Sequence, residues 1–204
     1  QQQRVALARA MAPKPQLILL DEPFSNLDAV LRNETRDELR LLLKKANMSA
    51  ILVTHDQEEA FSFADRIGVV QEGHLEQLGT PEELYYEPNT LFVAQFLGKT
   101  NLFFSEAAGN TAQSPVGTIS LKRAAKGDVL VALRPEHLDI RLVNENDPIH
   151  AEIISKDFRG HDITYRLRQK ELEFLVHTDN RHHFNVGDRV SVKPIEPGVV
   201  LKRA

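Results

Sequence analysis

The chain has 204 residues, 42% of them hydrophobic and 26% charged, with a net charge of -4, enough for one large domain or two modest ones with packed cores. It contains no cysteine, which excludes disulfides, thiolate catalysis and Cys-ligated zinc, and no apolar run nears the roughly 18 residues that a membrane-crossing helix needs. Residues 1–98 carry 9 Lys and Arg against 15 Asp and Glu, and residues 99–204 carry 16 against 14, so neither half has the concentrated basic face of a nucleic-acid binder.

The opening, QQQRVALARA, has neither an initiator Met nor a leader pattern and reads as the interior of a longer protein. Its strong helix formers predict a helix over residues 3–12, stopped by Pro13 and Pro15. LILLDEP then places four apolar residues, Leu17 to Leu20, ahead of two acids and a proline. The run predicts a strand buried on both faces of a parallel sheet. AVLRNETRDELRLLLKKA has helical composition, with Leu39, Leu41, Leu42 and Leu43 expected to pack it on the sheet. AILVTHD is a second buried-strand pattern, QEEAFSFAD a helix, and RIGVVQEGHLEQLG two strands about a turn at Glu72-Gly73. In TPEELYYEP, Thr80, Pro81 and Glu83 form a capping signature for a short helix. After Gly98 the pattern changes to short alternating runs: GDVLVALRP, LDIRL, HAEIISKDF, DITYRLRQ, LEFLVHT, DRVSVKP and VVLKR. Such spacing predicts a small sandwich or barrel. The expected organisation is therefore an α/β unit over 1–98 and an all-β unit over 99–204, with Phe92, Phe96, Phe103 and Phe104 packing at the junction.

Asp21 and Glu22 stand at the carboxyl end of an apolar strand, where open parallel sheets bind ligands. Neighbouring side chains on an extended strand point differently, so the two carboxylates can take separate roles: one toward a magnesium ion, the other toward an attacking water. His55 closes the next apolar strand. If the strands are neighbours, it lies beside the carboxylates and can donate to a phosphate oxygen. In SNLD, Asp28 is placed to satisfy the exposed N–H groups that begin the following helix. His182 and His183 lack the Cys partners or helical spacing of a metal site and read as surface residues.

In this order, QQQRVALARAM, LILLDEPFSNLD and ILVTHDQEEAF resemble the ATP-binding cassette (ABC) ATPases. The resemblance implies that Gln1 ends the Leu-Ser-Gly-Gly-Gln signature, that LILLDEP is the Walker B strand, that SNLD is the D-loop and that His55 is the switch histidine. It implies ATP and Mg2+ as ligands, with Asp21 holding magnesium through water, Glu22 polarising the attacking water and His55 reaching the γ-phosphate. Ser25, Asn26, Leu27 and Asp28 would communicate across a nucleotide-sandwich homodimer. The family's Gly-x-x-x-x-Gly-Lys-Ser/Thr phosphate loop has no counterpart, since no glycine precedes Gly68, so the chain alone is expected to be inactive.

Residues 99–204 resemble the OB-like TOBE accessory domain of importer ATPases, with Arg134, Pro135 and Glu136 in LRPEHLDI as its Arg-Pro-Glu signature. Taken apart from the family, the same three residues read as a strand end with solvated charges. The combined resemblance implies an importer subunit peripheral to the cytoplasmic membrane face, working with transmembrane permease subunits and a periplasmic solute-binding protein. FLGKTNLF and DFRGHDITYRLR look most like the ferric-iron group, with polyamine or sugar import as alternatives. A non-transport ABC ATPase and a regulatory ligand-binding role for the second half are the rival classes.

Overall fold

The computed structural model describes residues 2–13, 15–25, 27–143, 150–180 and 183–201. Its contacts divide the chain into two compact units, one of residues 1–68 and 78–81, the other of residues 69–77 and 82–204.

The first unit begins with helix α1 (Gln2–Met11). Strand β1 (Leu17–Asp21) pairs in parallel with β2 (Ser49–Val53), in a register that sets Leu17 against Ser49 and Asp21 against Val53. A parallel pair needs a long crossover, and α2 (Ala29–Ala46) supplies it. Asp28 caps the start of α2, its carboxylate accepting from Leu31 N–H at 2.9 Å. Asn47 ends the helix in the left-handed conformation at φ 52°, a C-terminal role suited to Asn or Gly. After β2, α3 (Gln57–Phe63) is capped by Asp56, which accepts from Glu58 and Glu59 N–H.

The core of this unit is Ile18, Phe24, Leu39, Leu43 and Phe63. The expected two-sided burial of the strands does not hold: Leu19 is 71% exposed, and Leu17, Ile51 and Val53 are about as open to solvent as surface residues. Among the described residues this sheet has two strands, and its helices cover one face. Strand side chains alternate between faces, so every second apolar residue is left outside. The Leu39–Leu43 run is corrected in the same way. Leu39 and Leu43 are buried, one turn apart, whereas Leu41 and Leu42 are exposed, as a 3.6-residue period requires.

Strands β3 (Ile67–Gln71) and β4 (His74–Gly79) form the expected hairpin. Its turn residues Glu72 and Gly73 both have positive φ, 48° and 81°, the conformation of a tight two-residue turn that matches strand twist.

The second unit contains α4 (Pro81–Tyr86) from Glu82 onward, α5 (Leu91–Phe96) and the remaining strands. A long antiparallel hairpin, β5 (Asn101–Ser114) with β6 (Gly117–Leu133), carries the short β12 (Val199–Val200) on its other side. A five-stranded sheet follows the order β10-β9-β8-β11-β7, made of β7 (Leu138–Leu142), β8 (His150–Phe158), β9 (Asp162–Gln169), β10 (Leu172–Asp179) and β11 (Arg189–Pro194). The outer strands β10 and β7 also come near each other, so the sheet curls in the manner of the expected small barrel. Ile140, Ile153, Ile163, Tyr165, Leu167 and Val190 of this sheet form one core with Phe103, Ile119 and Val131 of the β5–β6 hairpin.

Packing assigns residues 82–98 to the barrel's unit, although the strand grammar changes only after Gly98. The phenylalanines there do not form one cluster. Phe103 is buried against Phe174 at 5.9 Å, Phe92 and Phe96 stack on α5 at 5.4 Å, and Phe104 is 82% exposed. Alternation along β5 explains the last pair: neighbours 103 and 104 face opposite sides of the sheet.

Candidate functional site

The chemistry gathers where β1 and β2 end together. Asp21 closes β1 opposite Val53, and the Glu22 N–H donates to Val53 O at 2.9 Å. Glu22 then leaves the strand with φ 43°, a left-handed conformation that is uncommon for a non-glycine residue and typical of sites where a side chain must be aimed. His55, two residues beyond Val53, meets it: His55 Nδ1 and Glu22 Oε1 are 2.9 Å apart. The hydrogen bond to Glu22, and then its charge, raise the His55 pKa above 6.5. Both side chains are substantially exposed, so the pair is open to an incoming ligand.

The turn after Glu22 is built on that same residue. Ser25 donates twice to the Glu22 carbonyl, from Oγ at 3.0 Å and from its N–H at 3.3 Å. Phe24, fully buried, anchors the turn edge-on against Phe63 at 6.3 Å. Leu27 is half-buried against the core and donates its N–H to Phe24 O at 3.2 Å. Asp28 follows as the cap of α2. Of the sequence-identified residues, Asp21, Glu22, Ser25, Leu27, Asp28 and His55 therefore lie on two adjoining strand ends and the connected turn. Gln1, Asn26 and His182 lie outside the described residues; His183 is exposed.

Asp21 and Glu22 offer hard carboxylate oxygens, and among the described residues no three His, Cys, Asp or Glu side chains converge as a metal cage. That donor set fits Mg2+, which keeps several waters and takes one or two carboxylates together with substrate phosphates.

Sequence reasoning missed a second layer behind His55. Glu59 is 3% exposed and accepts from Thr54 Oγ1 at 2.6 Å, while Thr54 Oγ1 accepts from Asp56 N–H at 3.0 Å. Arg32 of α2 donates to Asp56 Oδ2 at 3.1 Å and to Leu27 O at 3.2 Å. Acidic residues at a helix start were visible in the sequence; their pairing with an arginine 24 positions earlier was not.

In the second unit, the solvated reading of Arg134 and Glu136 is overturned. Arg134 is 4% exposed. Its guanidinium donates to the carbonyls of Tyr85 at 2.9 and 3.1 Å, Ala94 at 2.9 Å, Gly98 at 3.2 Å and Lys99 at 3.2 Å, and to Thr100 Oγ1. It also lies 4.0 Å from the centre of the Tyr85 ring. Tyr85 OH donates to Glu136 Oε1 at 2.8 Å. Burial pushes the Arg134 pKa down, and burial followed by the bond to Glu136 pushes the Tyr85 phenol up. Nε and Nη2 share the Tyr85 carbonyl, and the two hydrogens of Nη1 are shared among the other four acceptors. The role of Arg134 here is to hold α4 and α5 on the β-rich unit.

Residues 131–201 match the TOBE domain family. Over its wider length the chain is similar to an Fe(3+) ions import ATP-binding protein (FbpC 2) of Pectobacterium atrosepticum, 43% identical over 198 residues, covering 94% of this chain and 57% of that protein. It is similar to an Fe(3+) ions import ATP-binding protein (FbpC) of Serratia marcescens, 44% identical over 195 residues, covering 94% of this chain and 56% of that protein. A spermidine/putrescine import ATP-binding protein (PotA 1) of Pseudomonas aeruginosa is 40% identical over 196 residues, covering 88% and 52%. The chain thus spans little more than half the length of these relatives.

Proposed function

We propose that the chain, with its match to the TOBE family at 131–201 and its similarity to importer ATP-binding proteins, comes from the ATP-binding subunit of an ABC importer, and that this protein hydrolyses ATP to drive solute uptake. The observation that carries this reading is the 2.9 Å contact of Glu22 with His55 at the ends of two parallel strands. Glu22 takes a proton from water as that water attacks the γ-phosphorus, and the bond to the ADP oxygen breaks. His55 donates to a γ-phosphate oxygen. Asp21 would hold Mg2+, and the ion would supply charge stabilisation for the phosphoryl group. Gln1 and the Ser25–Asp28 turn, including Asn26, meet the nucleotide of a second copy in a homodimer.

We divide the function at 98/99, with the C-terminal part of the cassette before it and the accessory domain after it. The sequence has no glycine before Gly68 and so no phosphate loop of the family's form there, and on this reading the 204-residue chain alone neither binds Mg-ATP tightly nor hydrolyses it. Calorimetric titration of Mg-ATP into the chain tests this; micromolar affinity refutes it. In the full-length subunit, Glu22→Gln lowers kcat at least about a hundredfold while ATP still binds. Retention of normal turnover in that variant would refute the role of Glu22.

Ferric iron is the solute favoured by the Fe(3+)-import relatives, with permease subunits and a periplasmic binding protein as partners at the cytoplasmic membrane face. A second reading, polyamine uptake, is favoured by the 40% identity to the spermidine/putrescine relative. Radiolabelled uptake of ferric iron and of spermidine in cells with and without the gene separates the two. Loss of iron uptake alone supports the first reading, and loss of spermidine uptake alone supports the second.

A further inference from the structure

We propose that Arg32 is a positioning residue that couples the Ser25–Asp28 turn to His55; this rests on the reading of Glu22 and His55 as the hydrolytic pair and adds a residue to it. Arg32 is the fourth residue of α2, and its guanidinium reaches both segments. Nη2 donates to the Leu27 carbonyl at 3.2 Å, inside the turn. Nη1 donates to Asp56 Oδ2 at 3.1 Å, immediately after His55. Asp56 is itself fixed: its other oxygen accepts from Glu58 and Glu59 N–H at 2.8 and 3.2 Å, and its own N–H is held by Thr54 Oγ1. The residues on both sides of His55 are therefore gripped, and the grip ends on Arg32.

The third donor makes this connection more than a static brace. Among the described residues Arg32 Nε, a buried atom, has no hydrogen-bond partner, and it lies 3.9 Å from Glu59 Oε1. A buried donor left unpaired is unusual and costly. Closing the gap to a normal hydrogen bond takes a movement of about 1 Å. The guanidinium is planar and moves as one body, so a pull on the Leu27 carbonyl changes the distances from Nη1 to Asp56 and from Nε to Glu59 together. Because the turn contact is to a main-chain oxygen, it responds to displacement of the turn whatever its side chains do. A partner pressing on the turn would thus move the segment that carries His55.

Two measurements test the coupling. In the purified chain, Asp28→Ala releases the cap of α2 and disturbs the turn, and His55 ring resonances are followed by NMR. The expected result is a His55 shift that disappears when Arg32→Lys or Arg32→Gln is added. Lys keeps the charge but loses the fork, so it serves where Gln weakens folding. A shift that persists unchanged in Arg32→Lys, or no shift in the unsubstituted background, overturns the proposal. In the full-length subunit, Arg32→Lys is expected to lower kcat about tenfold with KM for ATP changed less than about twofold, and to add nothing to His55→Ala. Multiplicative losses would overturn action through His55. If the unsubstituted subunit hydrolyses no ATP, the functional reading fails, and the NMR result still decides Arg32.

Discussion

Glu22 shows how much one backbone angle can do. Its φ of 43° and the bond from its N–H to Val53 turn the side chain out of the strand direction and onto His55. That Asp21, Glu22 and His55 stand at the ends of two apolar strands was legible in the sequence; that the two strands are neighbours was only a condition of that reading, and the parallel pairing of β1 with β2 meets it. The left-handed conformation was not legible, since no Gly or Asn marks it. The contact also has a pH signature. His55 is raised above 6.5 chiefly by the Glu22 hydrogen bond and charge, with smaller contributions from Asp56 and Glu59. Its charged pairing is therefore complete below pH 6.5 and is lost as pH rises through the higher folded-state value. NMR titration is expected to place His55 above 6.5 in the native chain and to move it downward in Glu22→Gln; an unchanged midpoint would show that another group sets it. Gly198 is a second single-residue constraint. A Cβ there would run into Val131 Cγ1 and stand 3.0 Å from Ile119 Cγ2. Gly198→Ala is expected to destabilise the chain by about 1–3 kcal/mol, measured by urea unfolding.

At the scale of elements, sequence periodicity located nearly every short strand of the barrel, because each alternates apolar and polar residues over a half-buried surface. It missed β5 and the first part of β6. The stretch SEAAGNTAQSPVGTISLKRAAKG is rich in Ala, Gly, Ser and Lys, residues with little intrinsic preference for strands, and pairing along the hairpin supplies what propensity does not. Asn101, at the start of β5, shows why its position matters to the barrel. Its amide accepts from Leu175 N–H at 2.8 Å and donates to Leu175 O at 2.7 Å, presenting to the outer strand β10 the donor and acceptor of a neighbouring peptide. Asn101→Ala leaves both groups unpaired, with an expected loss of about 1–3 kcal/mol and faster amide exchange at Leu175. The β1–β2 sheet gives a different expectation. In the 204-residue chain, Leu19→Gln is expected to alter stability by less than about 0.5 kcal/mol, whereas Ile18→Ala costs about 2–4 kcal/mol. If the full-length subunit covers the outer face of the sheet, Leu19→Gln becomes costly there, and thermal denaturation of both lengths makes the comparison.

At the scale of the whole molecule, the α/β grammar of the first part and the β grammar of the second are plain in the sequence, but the partition of compact units is not. Composition changes after Gly98, whereas packing draws 82–98 to the barrel. Arg134 contributes to this, a charged residue that composition alone assigns to the surface and that the fold instead buries among carbonyls, as does the packing of Ala94 with Ala132 and Leu201. Arg134→Ala would leave several main-chain oxygens unsatisfied and is expected to cost about 3 kcal/mol or more, read as a lower unfolding midpoint with α4 and α5 loosened first in hydrogen exchange.

Most of the acceptors around Arg134 belong to the main chain, and every residue type possesses them. Substitutions at Ala94 or Lys99 that keep the local backbone path would therefore leave those bonds standing. Across diverging relatives, this contact would leave no trace of compensating changes between Arg134 and those two positions. Analyses that infer proximity from paired substitutions would pass over one of the most heavily bonded side chains in the molecule, and would register at most its side-chain companions Tyr85 and Thr100.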